Sequence, residues 1–284
     1  MTAIETLLAG LFDYAGLYPP ASLDLRSAAN SYLRYRRSKH SVAVGRFILN
    51  LDRADEFRSI VGDSLADFSL SVIATENTDL AFLVQHIGTG LHIESLEIKC
   101  SEPSAIERIT QQVPQNVVAY FELPIHPSSL PALEAVHAAG ARAKIRMGGV
   151  APEAIQSTPD VAQMLKMLAD FRLPFKATAG LHHPLRSKQA LTYHPQSPTG
   201  LMHGFMNLSA AAAVAFFGGD AEEVERLLTE EDPAAWKVSA DSLQVRNQSW
   251  TADQVATLRR DFFIGIGSCS FEEPIHDLES LRWL

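Results

Sequence analysis

The chain has 284 residues, with 24 Lys and Arg against 33 Asp and Glu, for a formal net charge of −9. Such an acidic chain is poorly suited to nucleic acid or to an anionic membrane surface, both of which are recognised by clustered Lys and Arg. A hydrophobic fraction of 46% with 20% charged residues is ordinary globular composition, and a core of this size needs no disulfide staples.

The first twenty residues, MTAIETLLAGLFDYAGLYPP, lack a basic leader followed by a long apolar run, so a signal peptide is not expected. Short β-branched runs then follow at 46–51, 70–74, 95–99, 117–123, 143–147 and 174–178, beginning about 24 residues apart until the last, longer gap. Helical patterns fill the intervals, such as ADEFRSIVG, TDLAFLVQHIG, SAIERITQQV, LPALEAVHAAG and DVAQMLKMLADF. FFIGIG at 262–267 reads as a final strand. The alternation predicts βαβ units and a parallel sheet.

Seven strands are legible, and the eighth is expected just before the last one, at 236–239 or within LQVR at 243–246. The segment 179–235 carries a loop rich in Pro and His and two helical patterns, and it reads as an expanded unit. Its most apolar stretch, 208–217, is about ten residues, short of the ~20 that span a bilayer. The predicted architecture is one α/β domain over 1–284, a (β/α)8 barrel with 1–43 as an N-terminal helical extension and lid. The competing fold is an open doubly wound sheet.

Strand parity separates the two. Alternation puts Glu97 with Lys99, Tyr120 with Glu122, Lys144 with Arg146, and Lys176 with Thr178 on one face, with Asn50 and Ser71 on the corresponding face of the earlier strands. An open sheet covered on both faces would bury these charges without relief, whereas a barrel turns them into its lumen. Lys99, Lys144, Arg146 and Lys176 against Glu97 and Glu122 give 4 − 2 = +2, which suits a small carboxylate or phosphate metabolite. The structural alternative is a salt-bridge network that plugs the barrel.

Lys176 stands out as an amine nucleophile, because crowding by Lys144 and Arg146 together with desolvation would lower its pKa. Glu122, His182 or His183 would move protons, and His183 precedes Pro184 and so favours an extended backbone. His182, His183 and His203 could instead hold a metal for a hydrolase or isomerase, with His194 in the same segment. Adjacent histidines diverge in extended chain, however, and no metal or other cofactor is assigned. Gly148 and Gly149, before a helical start near Pro152, and Ser268, after the last strand, could bind an anion through backbone N–H groups. Ser270 or Glu273 could cap the helix that follows. Asp13 and Tyr14 are expected to lie over the barrel mouth with access to ligand. Cys100 and Cys269, the two cysteines, fall at strand ends, form no disulfide framework, and are read as buried thiols without an adjacent base.

The segment Phe175-Lys176-Ala177-Thr178-Ala179-Gly180 resembles the sixth strand of deoxyribose-phosphate aldolase, and Ile266-Gly267-Ser268-Cys269-Ser270 is similar to that family's closing strand. The resemblance covers about a tenth of the chain and implies a Schiff-base lysine at Lys176, while the family's second lysine has no matched position. A broader resemblance, through DYAGLYPP at 13–20, KATAGLHHP at 176–184 and GSCSF followed by Glu273-Pro274, is to an uncharacterised bacterial barrel family and implies no activity. The expected protein is thus cytoplasmic and acts on a small anionic metabolite by lyase or aldolase chemistry. A metal-assisted hydrolase or isomerase and a non-catalytic binding barrel are the alternatives, and a homo-oligomer stays open.

Overall fold

A computed structural model describes all residues, 1–284. Eight parallel strands close on themselves: β1 (Phe12–Tyr14), β2 (Val44–Asn50), β3 (Leu70–Ala74), β4 (Ile93–Lys99), β5 (Val118–Leu123), β6 (Arg142–Arg146), β7 (Phe175–Thr178) and β13 (Phe263–Ser268). Closure is made by β1, which pairs with β13 through Phe12–Ile266, Asp13–Gly267 and Tyr14–Ser268, and with β2 on its other side. The protein is therefore an α/β barrel of the TIM type, and the open-sheet alternative falls.

The helices outside the strands are α1 (Ala3–Leu8), α2 (Leu25–Arg36), α3 (Ala54–Val61), α4 (Ala81–Gly88), α5 (Pro103–Thr110), α6 (Leu130–Ala138), α7 (Thr158–Asp170), α8 (Phe205–Phe216), α9 (Ala221–Leu228), α10 (Ala252–Asp261) and α11 (Glu272–Ser280). Their starts are written into the chain. Asp24, Ser157 and Asp220 accept a hydrogen bond from a first-turn backbone N–H, and Thr2 and Thr251 form capping boxes with Glu5 and Gln254. Each such cap contributes about 1 kcal/mol. Helix α8 is apolar all round and buried along nearly its whole length, between the barrel and α7, α9 and α10. No helix is long and apolar enough to cross a membrane.

The expected position of the eighth strand is corrected. Segments 236–239 and 243–246 do contain strands, β10 (Trp236–Val238) and β11 (Ser242–Val245), but these join β12 (Gln248–Thr251) in an antiparallel sheet outside the barrel. Trp236, Leu243 and Trp250 turn inward there onto α1, α8 and α10. The missing barrel strand is β1, inside the segment read as an extension. It has three residues and lacks a β-branched run, so it carries almost no local strand signal. A hairpin of β8 (Ser187–Ala190) and β9 (Thr199–Met202) accounts for part of the expanded segment.

Candidate functional site

In register, Lys99 pairs with Glu122, Glu122 with Lys144, and Lys144 with Lys176, so the lumen carries charges on four neighbouring strands, two adjacent lysines among them. Lys176 Nζ donates to Asp13 Oδ2 at 2.6 Å and also to Glu97 Oε1. Lys144 Nζ lies 2.8 Å from Glu97 Oε2 and 2.9 Å from Glu122 Oε2. Ser71 donates to Glu97 Oε1 at 2.6 Å, and Ser95 to Ser71 at 2.7 Å. Asp13 accepts from the Arg46 backbone N–H at 2.7 Å, and the Arg46 guanidinium stands 3.7 Å from it. The chain of ion pairs therefore runs Asp13–Lys176–Glu97–Lys144–Glu122. Although Lys144 sits within ion-pair distance of Glu97 Oε2, that oxygen accepts no well-aligned hydrogen bond.

This arrangement reverses one expectation. Burial disfavours the Lys176 ammonium, but Asp13 and Glu97 outweigh burial and raise its pKa above the ordinary lysine range. Lys144 is shifted upward in the same sense: burial opposes the charge, and Glu97 and Glu122 restore it. The cationic neighbour beside Lys176 exists, yet a carboxylate stands between the two amines. Glu97 responds in kind, since desolvation resists its charge but Lys144 and Lys176 hold the carboxyl well below its usual range.

Above this layer, at the C-terminal ends of the strands, lies a cavity of about 220 Å³. Glu97, Lys144, Arg146, Gly149, Thr178, His182, Gly267 and Cys269 form its polar and glycine wall; Tyr18, Pro19, Pro20, Ile48, Ile73, Leu191 and Met202 contribute most of the rest. Of the residues selected from sequence, Glu97, Lys144, Arg146, Gly149, Thr178 and His182 meet there. Lys176 is only 1% exposed and lies a layer below, where its Nζ is 5.1 Å from the centre of the Tyr120 ring. Tyr120 accepts from Arg142 at 3.0 Å, lower still. Glu122 stands behind Lys144, while Lys99 is exposed at the strand end and not on the cavity wall.

Asp13 and Tyr14 do not lie over the mouth. Both belong to β1 and both are 2% exposed. Asp13 points into the ion-pair layer; Tyr14 points to the opposite face, against Tyr35 and Phe47. Covering the mouth falls instead to the residues just after them, with Tyr18 donating to Asn50 Oδ1 at 2.7 Å. Ser268 is paired with Tyr14 on the outer face, so its hydroxyl serves the Ser270 carbonyl at 2.6 Å and does not face the cavity. Gly148 packs its backbone against Gly180 and leaves the wall to Gly149.

The histidines separate. Ala179 and Gly180 take left-handed φ values of 63° and 71°, which turn the chain sharply after β7. His182 Nδ1 then meets Glu273 at 3.1 Å and His183 Nδ1 meets Asp277 at 2.6 Å. Glu273 and Asp277 are four residues apart, on one face of α11, so a single helix holds both rings. His203 instead contacts the Gln156 carbonyl through Nε2 at 2.8 Å. The three do not converge, and no three His, Cys, Asp or Glu side chains are grouped so as to hold a metal ion.

A further cluster escaped the sequence reading. Cys269 Sγ is 3.8 Å from His182 Nε2 and 3.9 Å from Nδ1, and Tyr193 OH donates to Glu273 at 3.1 Å. Burial opposes a charged His182, but hydrogen bonds with Cys269 and Glu273 prevail and raise its pKa to about 10. Parity carried the signal: Cys269 is two residues beyond Gly267, on the same face. Ser270 Oγ accepts from the Glu273 backbone N–H at 3.2 Å, although Phe271 holds the N-cap position of α11, and the Glu273 carboxylate is left for His182.

No protein-family model and no curated protein matches the chain. Among solved structures, a FabK mutant from Thermotoga maritima is similar over 65% of this chain at 15% identity and a TM-score of 0.39, and the chain spans only 59% of that protein. A fructose-bisphosphate aldolase from Slackia heliotrinireducens is similar over 80% of this chain and 89% of its own length, at 10% identity and a TM-score of 0.37. At these values neither similarity carries an argument, and the class rests on the strand order described above.

Proposed function

We propose that the protein is an enzyme of lyase or aldolase type acting on a small carbonyl compound that bears a carboxylate or phosphate. The observation that carries this reading is Lys144: an amine on the cavity wall, between two carboxylates at 2.8 and 2.9 Å. Lys144, Arg146 and protonated His182 against Glu97 give the wall 3 − 1 = +2, which favours an anionic ligand. Arg146, exposed at the end of β6, is the natural partner of the anionic group.

A lysine with a raised pKa is protonated at rest, so attack on a carbonyl requires a proton acceptor at that moment. Glu122 can take the proton from Lys144. The neutral amine then adds to the carbonyl carbon, and loss of water with proton return from Glu122 or His182 leaves an iminium. That cation withdraws electrons from the neighbouring carbon–carbon or carbon–hydrogen bond, the step that lyases and aldolases need. Lys176 has no cavity surface, and in this scheme it holds Glu97 in place. The nucleophile proposed from the sequence thus gives way to its neighbour one strand earlier.

Borohydride reduction with a panel of keto acids, aldehyde acids and phosphorylated aldehydes tests this. A reduced adduct on Lys144, absent from Lys144→Met, is expected with any compound that turns over. An adduct on Lys176 instead would return the role to the deeper lysine. Turnover without an adduct on either amine would overturn imine chemistry, and binding without product would favour the non-catalytic barrel.

A further inference from the structure

The ion-pair layer leaves unexplained why a thiol and an imidazole on the cavity wall are joined by a carboxylate and a phenol that do not line it. Cys269 and Glu273 lie in the stretch from β13 into α11, His182 follows β7, and Tyr193 comes from the loop of the β8–β9 hairpin; three separate segments are needed to assemble them. The titratable groups around the sulfur are His182, Tyr193 and Glu273, with Tyr14 approaching from β1. Glu273 binds Nδ1 of the ring at 3.1 Å, and the sulfur lies 3.8 Å from Nε2 and 3.9 Å from Nδ1, a relay in which the carboxylate orients the ring and the imidazolium faces the sulfur.

We infer that Cys269 is a nucleophilic thiol for small electrophiles that bear a carboxylate, with the His182 imidazolium supporting the negative charge its sulfur carries in the attack and Glu273 as the positioning residue. In the simplest case the sulfur attacks the carbon of iodoacetate. A C–S bond forms, the C–I bond breaks, iodide leaves with the electron pair, and the thiol proton passes to solvent. The preference for an anionic reagent rests on the positively charged wall proposed above; the reactivity of the thiol does not.

Cys100 supplies an internal control. It is also buried, its sulfur is 3.9 Å from the Glu102 carbonyl, and burial pushes its pKa up. The full-length protein is treated at pH 7 with iodoacetamide and, separately, iodoacetate, and the rate at each cysteine is followed by mass spectrometry. Cys269 is expected to react with iodoacetamide about tenfold faster than Cys100. His182→Asn should slow Cys269 by roughly tenfold and leave Cys100 unchanged, with Glu273→Gln as a second variant if the first is poorly folded. Arg146→Gln should lower the iodoacetate-to-iodoacetamide rate ratio at Cys269 without slowing iodoacetamide. A Cys269 no faster than Cys100, or unaffected by both relay variants in folded protein, overturns the inference. A fast thiol with no anion preference overturns the carboxylate specificity and the positive wall, while leaving the relay standing.

Discussion

Glu97 is the carboxylate on which the buried charges converge, so Glu97→Gln is the most direct probe of the barrel interior. Gln keeps the shape and can still accept from Ser71, but Lys176 is left with Asp13 alone and Lys144 with Glu122 alone. Removing one partner of a buried ion pair costs about 3–5 kcal/mol. Because each lysine retains a second carboxylate, the loss should fall near the lower limit, about 3 kcal/mol, lowering Tm by roughly 6 °C in a chain of this size. Urea unfolding at pH 7 of wild type, Glu97→Gln, Lys176→Met and the double variant closes a cycle whose coupling should exceed about 0.5 kcal/mol. Acid adds an independent reading. With the Glu97 carboxyl held below its ordinary 4.5, its contribution is complete above that pH and is lost as pH falls towards the folded value. Wild-type stability should therefore decline below pH 4.5 by up to about 1.4 kcal/mol per unit from this group, a slope absent from Glu97→Gln. A variant within about 0.5 kcal/mol of wild type at pH 7, with an unchanged acid slope, would refute the coupled layer.

Two further outcomes can be stated. Gly180→Ala should cost about 1–2 kcal/mol in urea unfolding for the left-handed backbone alone, and its added Cβ would stand 3.2 Å from the Gly148 Cα; equal stability would show that the turn tolerates a side chain. His182, raised from 6.5 to about 10, contributes stability that is complete below pH 6.5 and lost as pH rises through 10. Unfolding of His182→Asn from pH 6 to 10 should therefore depend less on pH than wild type, and parallel profiles would show that Glu273 and Cys269 do not hold the proton.

The lumen was legible because strand alternation is a local property. Once 95–99, 118–123, 142–146 and 175–178 are extended, the period of two puts Glu97, Lys144 and Lys176 on one face whatever surrounds them. The same rule could have placed Cys269 beside Gly267. It failed for Asp13 and Tyr14 because no pattern of their own marks them as strand: three residues acquire extended pairing from β13 and β2, which are distant in sequence. Trp236–Val238 and Ser242–Val245 erred in the opposite direction, with good strand composition but antiparallel neighbours two residues or more away.

The sequence alone determined the parallel barrel, its polar lumen and the acidic balance of −9 over the whole chain. Local periodicity and composition suffice for those properties. Only the tertiary structure decided which charge faces which. Lys176 could be read as crowded by cations until Asp13 arrived from the far end of the chain, 163 residues away, and Glu97 from 79 residues away. A pKa depends on the sign of the nearest charge, and that neighbour is fixed by closure of the barrel and not by proximity along the chain.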